Sequence, residues 1–146
     1  MAWHRATSKQ ERLGSAQGAV VKLPRAQSIL VVDDELDIVV TFRQAFSKHG
    51  YTVFGFSDPV LALEHFKLNS KGYALVISDV RMPRMTGFEL AASVKMIKPD
   101  AKIVLISAFE VTDLDFSTSA VKANDFLKRP VDIKTLVQKV RVKMAN

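Results

Sequence analysis

No cysteine occurs in the 146-residue chain, which excludes a disulfide framework, a thiolate metal site and a cysteine nucleophile. That absence fits a reducing compartment. No apolar run approaches the roughly 18 to 20 residues needed to cross a bilayer, and the N-terminus lacks the apolar stretch of a signal peptide. A soluble, cytoplasmic protein that does not engage a membrane is expected. Histidine is scarce: His4, His49 and His65 show no metal-ligand spacing, so each is expected at the surface. Trp3 is the single tryptophan and stands apart near the N-terminus. What remains is an ordinary globular balance, 48% hydrophobic and 25% charged, which points to one domain.

The formal charge of +6 is unevenly placed. Residues 1–27 carry Arg5, Lys9, Arg12, Lys22 and Arg25 against Glu11 alone. Most of the excess therefore sits in this stretch, and the rest of the chain is nearly balanced. Interspersed with Ser, Gln, Gly and Ala, these residues offer too little apolar surface to offset the entropy of ordering them. A disordered basic tail over 1–27 is expected, with the folded domain running over 28–146. Nucleic acid is not an expected partner except through that tail, whose plainer reading is a solvated segment.

From Ser28 the pattern changes. Ile29-Leu30-Val31-Val32 reads as a strand buried on both faces and ends in Asp33-Asp34. Val39, Phe42, Ala45 and Phe46 recur at helical spacing until Gly50, a residue suited to the left-handed position past a helix end. Tyr51 to Phe56 reads as a second strand. Asp58-Pro59 then opens a helix carrying Leu61, Leu63 and Phe66. Ala74 to Ile77 forms a third strand ending at Ser78-Asp79, and a turn-rich segment, Arg81 to Gly87, leads to a helix with Phe88, Leu90, Ala91 and Val94. Met82, Met85 and Met96 are expected to fill the loop and the helix face. Ile103 to Ile106 is a fourth strand ending at Ser107. Residues 110–122 read poorly as a helix because Thr112, Asp113, Asp115, Ser117, Thr118 and Ser119 favour competing local hydrogen bonds. Asp125-Phe126-Leu127 is the fifth strand, and Asp132 caps a last helix with Ile133, Leu136, Val137 and Val140. Five strands alternating with five helices define a doubly wound α/β fold with a parallel sheet. Neither a repeat nor a second domain is read.

In such sheets ligands bind beyond the carboxyl ends of the strands, near the point where strand order reverses. Asp33 and Asp34 follow the first strand, Asp79 the third, Ser107 the fourth, and Lys128-Arg129 the fifth. If the first and third strands are neighbours, three carboxylates share one pocket. Two unit charges about 4 Å apart repel by roughly 4 kcal/mol at an effective dielectric near 20, so the cluster needs a cation or a proton. Mg²⁺ suits a site of few carboxylates that keeps waters for a phosphate to replace. Each acid taken alone has an alternative reading as a turn or helix cap.

These residues resemble the receiver domain of two-component response regulators, over Ser28 to about Met144. The resemblance is carried by Asp33-Asp34, by Asp79 with Pro83 four and Gly87 eight residues later, by Ser107-Ala108, and by Phe126 before Arg129-Pro130. It implies the flavodoxin-like strand order 2-1-3-4-5 and a stand-alone, chemotaxis-type signalling domain rather than an enzyme. It implies Asp79 as phosphoacceptor from a sensor histidine kinase or phosphotransfer protein. It further implies Mg²⁺ bound by Asp34 and Asp79, by Asp33 largely through water and by the Arg81 carbonyl. Ser107 would hydrogen-bond the phosphoryl group, Arg129 would face it, and Phe126 would be the switch aromatic. Phe126 reads equally as a core strand residue. A downstream protein would dock on the face of the fourth helix, fifth strand and fifth helix.

Three positions depart from the family pattern. Arg129 stands where lysine is usual, with Lys128 one place earlier and, by strand alternation, pointing the other way. Thr86 replaces a common acid, and Lys122 stands where glycine is frequent. These departures keep open a degenerate receiver that binds partners without phosphorylation. A Mg²⁺-dependent phosphohydrolase with an aspartyl-phosphate intermediate is the enzymatic alternative. In hydrolases of the haloacid dehalogenase type, however, nucleophile and acid form Asp-x-Asp after the first strand, whereas here the nucleophile would follow the third.

Overall fold

The computed structural model of the protein describes residues 28–108 and 125–145. In chain order the elements are β1 (Ser28–Val32), α1 (Leu36–Ser47), β2 (Thr52–Phe56) and α2 (Pro59–Asn69). A 3₁₀ turn (Ser70–Gly72), β3 (Tyr73–Asp79) and α3 (Gly87–Ile97) follow, then β4 (Lys102–Ser107), β5 (Asp125–Lys128) and α4 (Ile133–Ala145). The basic stretch 1–27 with Trp3 and His4, the helix expected over 110–122, and Lys122 lie outside the described residues.

The strands form one sheet in the order β2-β1-β3-β4-β5, with every neighbouring pair parallel. Side chains alternate across the sheet, and β1 shows what this does. Ile29 and Val31 join Phe42, Phe46, Leu136, Val137 and Val140 under α1 and α4. Leu30 and Val32 join Ala62, Phe66, Leu90 and Val94 under α2 and α3. All four residues are buried, which is why β1 reads as an unbroken apolar run. Burying each such side chain stabilises the fold by about 1.5–3 kcal/mol relative to exposure.

Local chemistry sets the helix ends. Asp58 accepts from the Val60 N–H at 2.9 Å ahead of Pro59. Asp132 Oδ2 accepts from the Thr135 N–H and hydroxyl at the start of α4. Gly50 has φ +85° past the end of α1, where a Cβ is disfavoured.

Three expectations are corrected. Leu61 is 41% exposed, because α2 turns Pro59, Ala62, Leu63 and Phe66 to the sheet instead. Met96 is 86% exposed at the end of α3 and fills no core. His65 is a half-buried packing residue rather than a surface one. Its ring lies 5.1 Å from those of Phe54 and Phe56 and 5.6 Å from that of Tyr73, and it hydrogen-bonds the Tyr73 hydroxyl.

Candidate functional site

The chain reverses direction across the sheet between β1 and β3, so the crevice beyond their carboxyl ends is where a ligand site belongs. Val32 pairs with Ser78, Asp79 with Ile106, and Ser107 with Lys128. Those registers bring Asp33, Asp79, Ser107 and Arg129 to one edge.

Asp33 is buried, 2% exposed. Its Oδ1 accepts from the Glu35 N–H at 2.9 Å, a turn that starts the chain toward α1. Its Oδ2 accepts from Arg129 Nη2. Burial pushes the Asp33 carboxyl up, opposed by the Glu35 N–H and by Arg129. Asp34, next along, is exposed. Asp79 ends β3 with its side chain 13% exposed, and its Oδ1 lies 3.7 Å from Arg129 Nη2. Burial, then the charge of Asp33, raises the Asp79 carboxyl to about 6, with Arg129 pulling the other way. Asp33, Asp34 and Asp79 each offer a carboxylate oxygen within 4.8 Å of the others. A set of hard oxygen donors this close fits a divalent cation such as Mg²⁺.

The remaining expected residues surround this cluster. Ser107 is buried at the end of β4, and its carbonyl accepts from the Arg129 N–H at 2.8 Å. That bond fixes where the Arg129 side chain leaves the backbone, ahead of a cis peptide to Pro130. Lys128, on the opposite alternation, is exposed. Arg81 lies in the loop two residues past Asp79 and is exposed. Phe126 is half-buried, its ring 6.2 Å from that of Phe88 and packed on the core beneath α2 and α3.

Three features of the site were not anticipated from the residues. Arg129, expected to face the phosphoryl group on Asp79, takes Asp33, 96 residues away in sequence, as its nearer partner. Gly87 is needed because a Cβ there would sit 2.3 Å from the Asp79 carbonyl oxygen, while its own N–H donates to the Val80 carbonyl at 2.8 Å. Thr86 makes a capping box with Glu89, its hydroxyl accepting from the Glu89 N–H and its N–H donating to the Glu89 carboxylate. The Thr-x-x-Glu spacing carried that last signal. A second contact anchors the loop: Arg84, at φ 74°, pairs with Asp58 at 2.5 Å.

Fold and site thus define a class, a doubly wound α/β domain with a cluster of three carboxylates and a basic side chain at its topological switch point. Residues 29–141 match the response regulator receiver domain family, and the chain belongs to that family. The response regulator receiver protein CpdR of Brucella abortus is 31% identical, covering 77% of this chain and 92% of its own length. The phosphoglycerate transport system transcriptional regulatory protein PgtA of Salmonella typhimurium is 36% identical over 72% of this chain, which spans a quarter of that longer protein. Among solved structures, the response regulator TrrA of Thermotoga maritima, in complex with Mg²⁺ and BeF, is similar at 32% identity and a TM-score of 0.68, covering 80% of this chain and 98% of that one. Among the described residues no helix is long and apolar enough to cross a membrane.

Proposed function

We propose that this chain is a phosphorylation-driven switch in two-component signalling, with Asp79 as the phosphoacceptor. The observation that carries it is the convergence of Asp33, Asp34 and Asp79 within 4.8 Å beside Arg129. Phosphoryl transfer demands little covalent chemistry of a protein and much positioning of charge. An oxygen of the Asp79 carboxylate attacks phosphorus in line. The P–N bond of a phosphohistidine on a sensor kinase or phosphotransfer protein breaks, and the electron pair leaves on the imidazole nitrogen. Asp34 and Asp79 would hold Mg²⁺, with Asp33 acting through water and the Arg81 carbonyl completing the set. When bound, the metal supplies charge neutralisation for the phosphoryl oxygens. Ser107 donates its hydroxyl to the transferred group, Arg129 faces it, and Phe126 moves with the rearrangement. That movement remodels the face of β5 and α4, where a downstream protein docks.

The reading places the switch in the cytoplasm, with 28–146 as the receiver and 1–27 as a basic tail. The similarity to TrrA, solved with Mg²⁺ and BeF, supports the metal assignment. Intact mass measured after incubation with acetyl phosphate tests the proposal. An acid-labile phosphate adduct that needs Mg²⁺ and is lost in Asp79→Asn is expected. The same adduct on the Asn variant refutes the assignment, and its absence from the wild type under all conditions leaves a phosphorylation-independent binding module.

A further inference from the structure

We propose that the cavity between β5 and α4 is a binding site for a small organic phosphate, seated on Lys139 and Lys143. It lies outside the acidic cluster and does not depend on Asp79 accepting a phosphoryl group. Asp125, Thr135, Gln138, Lys139, Val142 and Lys143 line a cavity of about 410 Å³, a size common for small-molecule sites. Its place in the sheet keeps it from the strand-end edge. Asp125 starts β5 and pairs with Val104, whereas the strand-end Ser107 pairs with Lys128, about 10 Å farther along the strand. Within α4 the lining residues recur at intervals of three and four, which puts them on one face of the helix.

The charges in this cavity are incompletely matched. Lys139 and Lys143 stand one turn apart and both face a single oxygen, Asp125 Oδ2, at 3.8 and 3.6 Å. Those separations exceed the roughly 2.7–3.2 Å of a hydrogen bond, so one carboxylate serves two ammonium groups and closes on neither. Its other oxygen accepts from the Phe126 N–H at 3.0 Å, which fixes it to the strand. Like charges four residues apart on a helix repel, and the surroundings add to the excess. The helix also carries Lys134 and Arg141 and no acid, and the Lys102 ammonium donates to the Lys143 carbonyl. The lining thus keeps one more positive charge than negative, in a recess that leaves the Lys143 side chain only 22% exposed.

An oxyanion entering the recess meets Lys139 Nζ, Lys143 Nζ and the Gln138 amide as donors. The Thr135 hydroxyl is not a fourth, because it donates to Asp132. Three donors suit the three terminal oxygens of a phosphate monoester better than the two of a carboxylate, and charge-assisted bonds to ammonium groups close to about 2.7–2.9 Å. The phosphate fills only part of the cavity. Val142, 59% exposed, and the methylene stems of the two lysines offer an apolar wall to the organic group. Occupancy draws both lysines from Asp125 and is thereby transmitted to β5, through the carboxylate that holds the Phe126 N–H.

Isothermal titration in chelator with phenyl phosphate, inorganic phosphate and benzoate tests this, with backbone amide NMR spectra locating the site. Phenyl phosphate should bind tightest and shift amides in β5 and α4. Lys143→Gln and Lys139→Gln should each weaken it about tenfold or more, either one carrying the comparison should the other fail to fold. Asp125→Asn should bind about threefold tighter or more, because the internal competitor loses its charge. Lys134→Gln removes an equal charge from α4 outside the cavity and should change affinity by less than about twofold. Equal weakening in Lys134→Gln and Lys143→Gln, or weaker binding to Asp125→Asn, reduces the effect to diffuse attraction by a basic helix and overturns the site. Benzoate binding as tightly as phenyl phosphate, amide shifts confined to the surroundings of Asp33 and Asp79, or no binding of any probe at millimolar concentration overturns it too.

Discussion

Replacing Asp79 with asparagine should stabilise the domain, and the size of the gain follows from its surroundings. The side chain is 13% exposed, and burial with the Asp33 charge raises its carboxyl from 3.8 to about 6. The folded state therefore holds this proton more tightly than the unfolded chain does. Stability associated with Asp79 is present below pH 4 and is lost as pH rises through 6. At pH 7 the ionised carboxylate costs folding about 3 kcal/mol, because the rise to about 6 is a roughly hundredfold tighter hold on the proton, at roughly 1.4 kcal/mol per tenfold. Asparagine mimics the protonated acid at every pH. In chelator at pH 7, Asp79→Asn should be more stable by up to about 3 kcal/mol in urea denaturation, or melt roughly 10 °C higher. The gap should close between pH 6 and pH 4, where wild-type Asp79 takes up its proton. A gap of constant size down to pH 4, or an asparagine variant less stable at pH 7, would refute the reasoning. The second result would mean that Arg129 compensates Asp79 more fully than its 3.7 Å separation allows, and the first that the gap does not come from ionisation of Asp79.

Three further outcomes are expected. Gly87→Ala should lose about 1–3 kcal/mol in the same denaturation assay, because the new methyl meets the Asp79 carbonyl oxygen at 2.3 Å; it should also slow phosphorylation by acetyl phosphate, since the backbone that must shift carries Asp79. Thr86→Ala removes the capping box and should cost about 1 kcal/mol, with Thr86→Asp recovering most of it. Mg²⁺ at a hundredfold excess over its dissociation constant should stabilise wild type by about 2.7 kcal/mol, and Asp34→Ala should abolish most of that gain in a melting experiment.

The elements most legible in the sequence were those whose side chains are buried on both sides of the sheet. In β1, β3 and β4 an apolar run leaves few other structures open. The strand-end acids could be placed for the same reason, because a parallel sheet fixes which strand ends share an edge. Legibility failed where partners come from distant elements. Nothing near His65 in sequence indicates that Phe54, Phe56 and Tyr73 meet its ring. Leu61 looks like a core residue because α2 has apolar residues around much of its circumference, and only contact with the sheet selects Ala62, Leu63 and Phe66. Arg129 could be placed at the site by its register, but its choice of Asp33 over Asp79 depends on side-chain geometry that no spacing encodes. The purpose of Gly87 was hidden similarly, since the close approach is to backbone eight residues earlier.

Asp58 does two jobs with two oxygens, and they respond differently to the surroundings. Oδ1 accepts the Val60 N–H that begins α2, a short-range bond within one turn. Oδ2 holds Arg84, whose side chain is 60% exposed, an ion pair worth at most about 1 kcal/mol and weakened by salt. Rising ionic strength should therefore slacken the loop that follows Asp79 while leaving the start of α2 intact. The segment carrying Arg81 is tethered to a rigid helix by a bond tuned to the solution rather than to the core.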